Sequence, residues 1–297
     1  MRMWLCVIVL ACAASACALD PRPRADDARP AVDAFRVATH NIHRIALDEM
    51  GRWSPEGWLR RREAVAQAFT ALDADIVALQ EAHAQRSDPL RRSRGPAVAW
   101  LTARRPDYAV AGVGRDGAPP HAQPILYRRG RFERVAEGRF GFGFETRALG
   151  RPGLDASAPS HAAWVKLRDR LTRRVLTFVN VHFDHRSSEA QGHAARLVAR
   201  FAKARMALGE AVIVAGDLNV RRASRPVAIL REAGLAVPFV KGATYHFGIG
   251  LNVLGAIDHV AHGPRLTALG PPRVLRKRFD GRWPSDHHPV TLDLAWR

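Results

Sequence analysis

Short apolar runs alternate along the chain with longer segments of helical periodicity, which predicts an α/β fold. Helices are expected over Arg61–Leu72 and Glu189–Met206, each with its apolar residues on one face, and near Val227–Ala233. Strands mixed with helices imply either two packed sheets with helices outside or one large mixed sheet. Strands are predicted at Phe35–Asn41, Asp75–Gln80, Tyr108–Val113, Pro124–Tyr127, Ala162–Leu167 and Val175–Phe183 as a hairpin, Ala211–Ala215, Ala256–Val260 and Val290–Leu294.

The stretch GDLN, residues 216 to 219, ends one of these strands with two polar side chains. In an extended chain alternate side chains share a face, so Asp217 and Asn219 would point the same way while Leu218 points into the core. Gly-Asp-x-Asn is also favourable turn chemistry. The four residues alone leave both interpretations open.

Polar side chains recur at the ends of the other predicted strands. Carboxylates gathered at the ends of buried strands would repel one another and lose hydration, unless a cation or mutual hydrogen bonds compensated. A shared metal site removes that conflict, so the pattern predicts one. The polar residues at strand ends are Asn41, Glu81, His182, Asp184, Asp217, Asn219, Asp258, Asp286 and His287.

The 297 residues can bury a large core, and no repeat or change of composition divides them, so one domain over residues 34–297 is expected. Residues 1–18 have the features of an export signal: Arg2, an apolar stretch, then small residues before a cleavage point. The apolar stretch is too short for a comfortable membrane span. Residues 19–33, rich in Pro, Arg, Asp and Ala, are expected to form a flexible tether.

All three cysteines lie within the predicted signal, so no disulfide is expected in the exported protein. Cys17, preceded by small residues, is compatible with the lipid-bearing first residue of a bacterial lipoprotein. Ala14 stands where such signals have a larger aliphatic residue, which favours release. Two destinations stay open: a periplasmic or outer-membrane-anchored lipoprotein, associated with the membrane through lipidated Cys17, or a secreted protein.

The formal net charge of +18 favours an anionic partner. All but four of the 46 Lys and Arg residues are arginine, as a GC-rich coding bias would also produce. The arginines are scattered, without the interleaved aromatic residues that stack on bases. The charge therefore leaves the kind of anionic partner open, with nucleic acid among the candidates, and no obligate protein partner is evident.

Seven short motifs follow one another in an order that is specific as a set, although each alone is weak. They are THNIH (39–43), ALQEA (78–82), ILYRRGRF (125–132), NVHFDH (180–185), GDLN (216–219), AIDHV (256–260) and SDHHPV (285–290). In these motifs the chain resembles the endonuclease/exonuclease/phosphatase superfamily, which includes deoxyribonuclease I, and particularly its secreted bacterial members. The resemblance implies an α/β fold of four layers, a sandwich of two packed mixed β-sheets flanked by helices.

The resemblance also implies a divalent cation, Mg²⁺ or alternatively Mn²⁺, held by oxygen ligands. Glu81 matches the glutamate ligand of the family, Asn41 an asparagine beside the same ion, and Asp286 an aspartate near it. Zinc is disfavoured because few cysteines survive export and the histidines lack the spacing of a tetrahedral site.

The remaining matches imply catalytic roles. Asp217 matches the carboxylate that orients or deprotonates the attacking water, and Asn219 the amide that holds the phosphate or that water. His287 matches the histidine that stabilises charge on the phosphate or assists the leaving oxygen, and Asp258 the acid that orients its ring. His182 matches a phosphate contact. Substrate contacts are expected from His43, Asp184 and His185.

The expected activity is hydrolysis of a phosphate ester by metal- and His/Asp-assisted attack of water, with a phosphodiester of nucleic acid or a phospholipid head group favoured. The alternatives are a phosphomonoesterase acting on a sugar or inositol phosphate and a non-catalytic phosphate-binding protein. The chain also departs from the family pattern. His121 replaces an acid, and the Gly-rich apolar stretches Phe140–Phe144 and Tyr245–Leu254 are either lids, membrane-touching loops or ordinary loop packing.

Overall fold

Two β-sheets pack face to face, with two helices on each outer side. The computed structural model describes residues 33–46, 50–82, 95–112, 123–142 and 161–297. The predicted export signal, Cys17, the tether before Asp33 and His121 lie outside these residues. Within the described ranges no helix combines the length and apolarity needed to cross a membrane.

Four helices and twelve strands make up the described part of the chain. The helices are α1 (Pro55–Leu72), α2 (Pro96–Arg104), α3 (Ser188–Ala207) and α4 (Arg225–Glu232). The strands are β1 (Ala34–Asn41), β2 (Ile76–Gln80), β3 (Tyr108–Ala111), β4 (Ile125–Arg128), β5 (Phe132–Gly141), β6 (His161–Asp169), β7 (Val175–His182), β8 (Ala211–Asp217), β9 (Asp258–His262), β10 (Leu266–Ala268), β11 (Arg273–Val274) and β12 (Val290–Trp296).

Both sheets are mixed. The seven-stranded sheet has the order β10-β12-β1-β2-β4-β3, with β11 also paired to β12, and the five-stranded sheet has the order β5-β6-β7-β8-β9. Within each sheet one pair is parallel, β1 with β2 and β7 with β8, and the other described neighbours are antiparallel. The predicted four-layer sandwich and the hairpin of β6 and β7 are confirmed.

Strand alternation separates the core into layers. Phe35 and Val37 of β1 lie between the sheets in one apolar cluster with Phe178 of β7 and Ile213 of β8. Two further clusters fill the outer layers, one under α1 and α2 and one under α3 and α4. Strands β1, β2 and β8 are buried along their whole length, so the centre of the sandwich is closely packed and the ends of these strands are held in fixed positions.

Helix α1 begins six residues before its predicted start at Arg61. Ser54 caps it, since its Oγ accepts a hydrogen bond from the Gly57 backbone N–H at 3.1 Å, and Pro55 occupies the first turn. Capping chemistry, and not apolar periodicity, defines this end. The predicted apolar face is buried as expected and comprises Val65, Ala68, Phe69 and Leu72.

Four elements were not predicted: α2, β5, β10 and β11. Strand β5 is ten residues long but has only one buried residue, Phe132, and it contains a bulge between Arg134 and Ala136, so it lacks the period-two apolar pattern. The end of β5 and the residue that follows it nevertheless pack inward. The Phe140 ring lies 5.0 Å from Phe201 and the Phe142 ring 5.6 Å from Phe183, so this part of the apolar stretch Phe140–Phe144 is core packing.

Candidate active site

The ends of both parallel strand pairs meet at one edge of the sandwich. β1 ends at Asn41, β2 is followed by Glu81, and β7 and β8 end side by side at His182 and Asp217. β9 starts at this edge as well, because it runs antiparallel to β8 with Asp258 opposite Asp217. The fold therefore brings together the polar strand ends that the sequence singled out.

An acid–imidazole–acid arrangement lies at the centre of this edge. The Nδ1 atom of His287 is 2.9 Å from Oδ2 of Asp258, and its Nε2 atom is 3.7 Å from Oδ2 of Asp217. All three side chains are at most 7 % exposed. Asp258 thus holds the imidazole ring in an orientation that directs its second nitrogen at Asp217.

The pKa values of these groups are displaced in opposite directions. Burial opposes protonation of His287, but the carboxylates of Asp258 and Asp217 outweigh it and raise its pKa to about 10. Burial and the neighbouring Asp258 raise the pKa of Asp217 above its ordinary value. The pKa of Asp258 is lowered because His287 more than offsets the effect of burial. Groups displaced in this way are typical of catalytic sites.

Asn41 bridges the two sheets at this edge. Its Nδ2 donates to Oε1 of Glu81 at 3.0 Å and to Oδ2 of Asp217 at 3.1 Å, while its Oδ1 accepts from the His43 backbone N–H at 3.0 Å. The second oxygen of Glu81 accepts from the backbone N–H of Arg44 at 3.2 Å. In this arrangement Asn41 presents a donor to the carboxylates, whereas the resemblance implies a position beside the metal ion.

Glu81 and Asp286 both face His43. Burial opposes ionisation of Glu81, but His182, His43 and the hydrogen bond from Asn41 outweigh it and hold its pKa well below the ordinary range. Oδ2 of Asp286 is 3.8 Å from Nε2 of His43. The fold therefore places both carboxylates on the same side of the molecule as His287.

Ser285 fixes the loop that carries Asp286 and His287. Its Oγ donates to the backbone carbonyl of Asn41 at 2.6 Å and lies 3.1 Å from Oδ1 of Asp286. The same oxygen accepts a hydrogen bond from the His287 backbone N–H at 3.3 Å. One buried hydroxyl thus joins the loop before β12 to the end of β1, and nothing in the sequence pattern indicated this role beyond the residue's place in its motif.

The conformation of Asn219 shows that GDLN is not extended along its whole length. Its φ of 52° is left-handed, so the strand has already ended, and its backbone N–H donates to Oδ1 of Asp217 at 2.9 Å. This is the turn chemistry that the sequence left open. The Asn219 amide nitrogen donates to the Phe183 carbonyl at 2.9 Å, while Leu218 is buried as predicted. The turn therefore orients the carboxylate that the strand delivers.

The residues that follow β7 divide between the edge and the next helix. Nε2 of His182 is 3.5 Å from Oδ2 of Asp217. Asp184 instead accepts hydrogen bonds at 2.7 Å from the backbone N–H groups of Arg186 and Ser187, which shape the turn into α3. Nε2 of the exposed His185 accepts from Arg186 at 3.2 Å. These bonds engage Asp184 and His185 in their own loop, and their contact with substrate stays a prediction.

Arg61 is a site residue that the sequence analysis missed. Its guanidinium is buried and donates to the carbonyls of Ile42, His43 and Pro284 at 2.6, 2.7 and 3.0 Å. Burial lowers its pKa to about 10, although Asp286 and Glu81 oppose that shift. A signal was present: Arg61 precedes Val65 by four positions and so occupies the apolar face of α1.

Two further side chains complete the surroundings of the His287 ring. The Tyr245 ring lies 5.0 Å from it, and the two residues form an isolated β-bridge. Thr244 accepts the backbone N–H of Asp258 at 3.2 Å and that of Ile257 at 3.0 Å. Burial raises the pKa of Tyr245, with Asp286 and Glu81 acting in the same direction.

Two groups at this edge have the chemistry to hold a cation. Among the described residues, ligand atoms of Asp217, Asp258 and His287 all lie within 4.8 Å of one another. In that group, however, Asp258 already engages Nδ1 of His287. Glu81 and Asp286 offer carboxylate oxygens only, and their side chains are 19 % and 11 % exposed, which leaves access for water ligands. An oxygen donor set of this kind fits Mg²⁺ or Mn²⁺.

Comparison with known proteins identifies the fold and the family. The model of the Endonuclease/Exonuclease/phosphatase family matches residues 38–287. The chain belongs to this family. A family protein from Bacteroides thetaiotaomicron has a solved structure that is 25% identical with a TM-score of 0.71, covering 89% of this chain and 98% of that chain. No match is found among curated protein sequences.

Other solved structures share the fold of this endonuclease/exonuclease/phosphatase family member. A mannosyl-6-phosphatase from Bacteroides thetaiotaomicron is 23% identical with a TM-score of 0.72, covering 88% of this chain and 100% of that chain. TDP2 from D. rerio, complexed with single-strand DNA product, is 15% identical with a TM-score of 0.60, covering 88% of this chain and 98% of that chain. Members of the family act on phosphate esters and typically depend on a divalent metal.

Proposed function

We propose that the protein is an exported, Mg²⁺- or Mn²⁺-dependent phosphoesterase that hydrolyses a phosphodiester by attack of water. The observation that carries the proposal is the Asp217–His287–Asp258 arrangement, with Nε2 of His287 3.7 Å from Asp217 and Nδ1 2.9 Å from Asp258. The amide of Asn41 contacts both Asp217 and Glu81, and so connects this arrangement to an acid of the predicted metal site.

Asp217 is the residue suited to take a proton from the attacking water. Its raised pKa makes its carboxylate a stronger base than an exposed aspartate. The backbone N–H of Asn219 holds Oδ1 at 2.9 Å and the Asn41 amide contacts Oδ2 at 3.1 Å, so the carboxylate cannot rotate freely. Because the carboxylate is already fixed in place, it loses little further entropy when it binds and orients the attacking water.

His287 is suited to bind the phosphate. Its raised pKa keeps the ring protonated near neutral pH, and Asp258 fixes the orientation of its Nε2–H. The ring would stabilise the negative charge that develops on the phosphate or protonate the leaving oxygen. A cation held by Glu81 and Asp286 would polarise a phosphate oxygen. His182, 3.5 Å from Asp217, would supply a further contact to the phosphate.

The surroundings of His287 support an ester with an organic substituent. The Tyr245 ring lies 5.0 Å from His287 and 4.5 Å from the half-exposed Phe247, which provides an apolar contact beside the phosphate position. A phosphomonoesterase is the second candidate, supported by the similarity in fold to the mannosyl-6-phosphatase. Nucleic-acid hydrolysis would weaken steeply with added salt, whereas a small substrate would respond far less.

The test is hydrolysis of bis-p-nitrophenyl phosphate and of p-nitrophenyl phosphate with Mg²⁺ or Mn²⁺, repeated with a chelator. We expect faster release of nitrophenol from the diester, and its loss with the chelator or in Asp217→Ala. A faster rate on the monoester would select the second candidate. No hydrolysis of either substrate with either metal, under conditions where the protein is folded, would contradict both. Export is tested separately, by sequencing the N-terminus of protein recovered from the expressing cells.

A further inference from the structure

The loop beside the active site presents apolar side chains to solvent. Phe247, Ile249, Leu251 and Val253 are exposed by 43 %, 59 %, 43 % and 66 %. They are the odd-numbered residues of one seven-residue stretch, which we call the apolar loop, Phe247 to Val253. A loop of a soluble protein normally directs its apolar side chains inward, so this pattern is inverted.

The even-numbered residues hold the apolar loop against the protein. The backbone carbonyl of Gly248 accepts a hydrogen bond from Arg52, and Oδ1 of Asn252 accepts one from Nε2 of His288 at 3.1 Å. Gly250, with φ of +88°, lies so close to Trp283 that a Cβ would come within 2.7 Å of the ring. Glycine is therefore needed there for the loop to lie flat.

Phe247 adds backbone strain to this arrangement. Its φ of 58° is left-handed, which is unfavourable for a bulky side chain. Such a conformation is on the order of a fewfold to several tens of fold less populated than an unstrained one. The loop thus adopts an unfavourable conformation that exposes an aromatic ring. Strain of this kind is retained where the exposed group has a use.

The other large apolar side chains exposed elsewhere in the described residues are isolated along the chain. Leu171 in the turn between β6 and β7 and Leu208 after α3 are 57 % and 69 % exposed, but neither has an exposed apolar residue two positions away. Single exposed apolar residues are ordinary, whereas a contiguous group marks an interaction surface. Leu171 and Leu208 also provide matched controls for the apolar loop.

Exposed arginines flank the apolar loop. Arg52 bonds to Gly248, the aliphatic part of Arg221 lies next to Gly255, and Arg278 lies 4.9 Å from the Trp283 ring that supports Gly250. All three arginines are exposed. Apolar side chains surrounded by cations complement a surface that is apolar inside and anionic at its boundary.

We propose that the apolar loop docks on an anionic lipid surface, with Ile249 and Val253 entering the apolar region and the flanking arginines contacting lipid phosphates. Docking would place the His287 edge at that surface, because the Phe247 ring contacts the Tyr245 ring and the Tyr245 ring contacts His287. This goes beyond the proposed function, since lipid binding requires no turnover.

The first test is cosedimentation of the full chain with vesicles of phosphatidylcholine alone or with phosphatidylglycerol, in the presence of a chelator. We expect the doubly substituted Ile249→Ser/Val253→Ser variant to bind the anionic vesicles at least about tenfold more weakly than the parent, because two apolar side chains no longer transfer into lipid. The matched Leu171→Ser/Leu208→Ser variant should bind as the parent does. Equal binding by both double variants would overturn the proposal.

The second test locates the contact. Amide hydrogen exchange over residues 247–253 should slow when anionic vesicles are added, while exchange in the β6–β7 turn should not change. Unchanged exchange in the apolar loop would overturn the proposal. The proposal would also be overturned if the parent were a dimer and the Ile249→Ser/Val253→Ser variant were a monomer that still bound vesicles. That result would assign the loop to self-association.

Hydrolysis of bis-p-nitrophenyl phosphate separates this proposal from the proposed function. The Ile249→Ser/Val253→Ser variant should hydrolyse it at the parental rate while losing vesicle binding. A parent that binds vesicles through the loop but hydrolyses no ester would leave docking established and the proposed function contradicted. A variant that loses hydrolysis and keeps vesicle binding would assign the loop to substrate contact and overturn docking.

Discussion

Strand β8 has a buried carboxylate at each end, and the two ends differ. Glu210, directly before the strand, bonds to Nε of Arg205 at 2.8 Å, to Nζ of Lys166 at 2.7 Å and to Oγ1 of Thr177 at 2.5 Å. Asp217, at the other end, faces a second carboxylate, Asp258, across the sheet. One acid is surrounded by fixed cations and the other by groups that titrate.

The pKa values follow this difference. Burial opposes ionisation of Glu210, but Arg205, Lys166 and Thr177 outweigh it, and the pKa is lowered. At Asp217, burial and the neighbouring Asp258 outweigh the opposing effects of His287, His182 and the Asn219 backbone N–H, so its pKa is raised. A cluster that only stabilises the fold neutralises its charges, whereas a site that needs a base keeps one at a cost in stability. The comparison predicts opposite consequences for mutations at the two ends.

The largest effect is expected from removing the imidazole at the Asp217 end. His287→Ala should lower kcat for bis-p-nitrophenyl phosphate by about a thousandfold, or about 4 kcal/mol in activation free energy, because the oriented cation is lost. The control is His262→Ala, a buried histidine of β9 that bonds to the Gly263 carbonyl. If kcat falls no further in His287→Ala than in that control, His287 takes no part in the reaction.

Glu81→Gln is expected to raise the metal concentration that gives half the maximal rate (the midpoint) by about a hundredfold. Loss of a carboxylate ligand should weaken metal binding more than a change in the residues that support the ligand. The measurement is the rate as a function of Mg²⁺ or Mn²⁺ concentration. Glu63→Gln on α1, an exposed acid paired with Arg104, should leave the midpoint unchanged. An unchanged midpoint in Glu81→Gln would place the cation elsewhere, with the Asp217, Asp258 and His287 group as the next candidate.

At the other end of β8 the expected effect is on folding. Glu210→Gln should lower the free energy of unfolding by about 2 kcal/mol, because Arg205 and Lys166 lose their buried counter-charge, with the rate per folded molecule unchanged. Urea unfolding measures the change. Glu232→Gln breaks an exposed pair with Arg225 and should cost less than about 1 kcal/mol. Equal destabilisation by the two variants would mean that the Glu210 cluster contributes no more than a surface ion pair.

The smallest effect concerns pH. The pKa of Glu210 in the folded protein lies below its ordinary value of 4.5. Its contribution to stability is therefore complete above pH 4.5 and is lost as the pH falls through the folded-state pKa, by up to about 1.4 kcal/mol per pH unit. The difference in unfolding free energy between the parent and Glu210→Gln should shrink below pH 4.5. A difference that stays constant down to pH 3 would be inconsistent with ionic stabilisation.

Apolar periodicity predicted the parts of the fold whose burial is regular. Strands β7 and β8 are covered on both faces, so their apolar runs are continuous and their positions were predicted closely. Strand β5 lies at a sheet edge and only one of its ten residues is buried, so its residues carry little periodic signal. Strand β9 begins at Asp258, two residues after its predicted start, because its register is set by pairing with β8.

The candidate site was predicted as a set of residues but not as a set of contacts. The polar residues at strand ends converge because parallel strands end at the same edge, which the alternation of elements implies. The left-handed turn at Asn219, the engagement of Asp184 in its own loop and the bonds of Arg61 to three carbonyls depend on tertiary packing. The export signal and the lipid-bearing Cys17 stay predictions.

The most direct test of the contrast between the two ends compares Asp217→Asn with Glu210→Gln, measuring bis-p-nitrophenyl phosphate hydrolysis and urea unfolding on the same preparations. We predict that Asp217→Asn loses at least about a hundredfold in rate with unchanged or increased stability, because a buried charge facing another acid is removed. Glu210→Gln should lose stability and keep its rate. Parental hydrolysis by folded Asp217→Asn would contradict the assignment of this end of β8 as the active site.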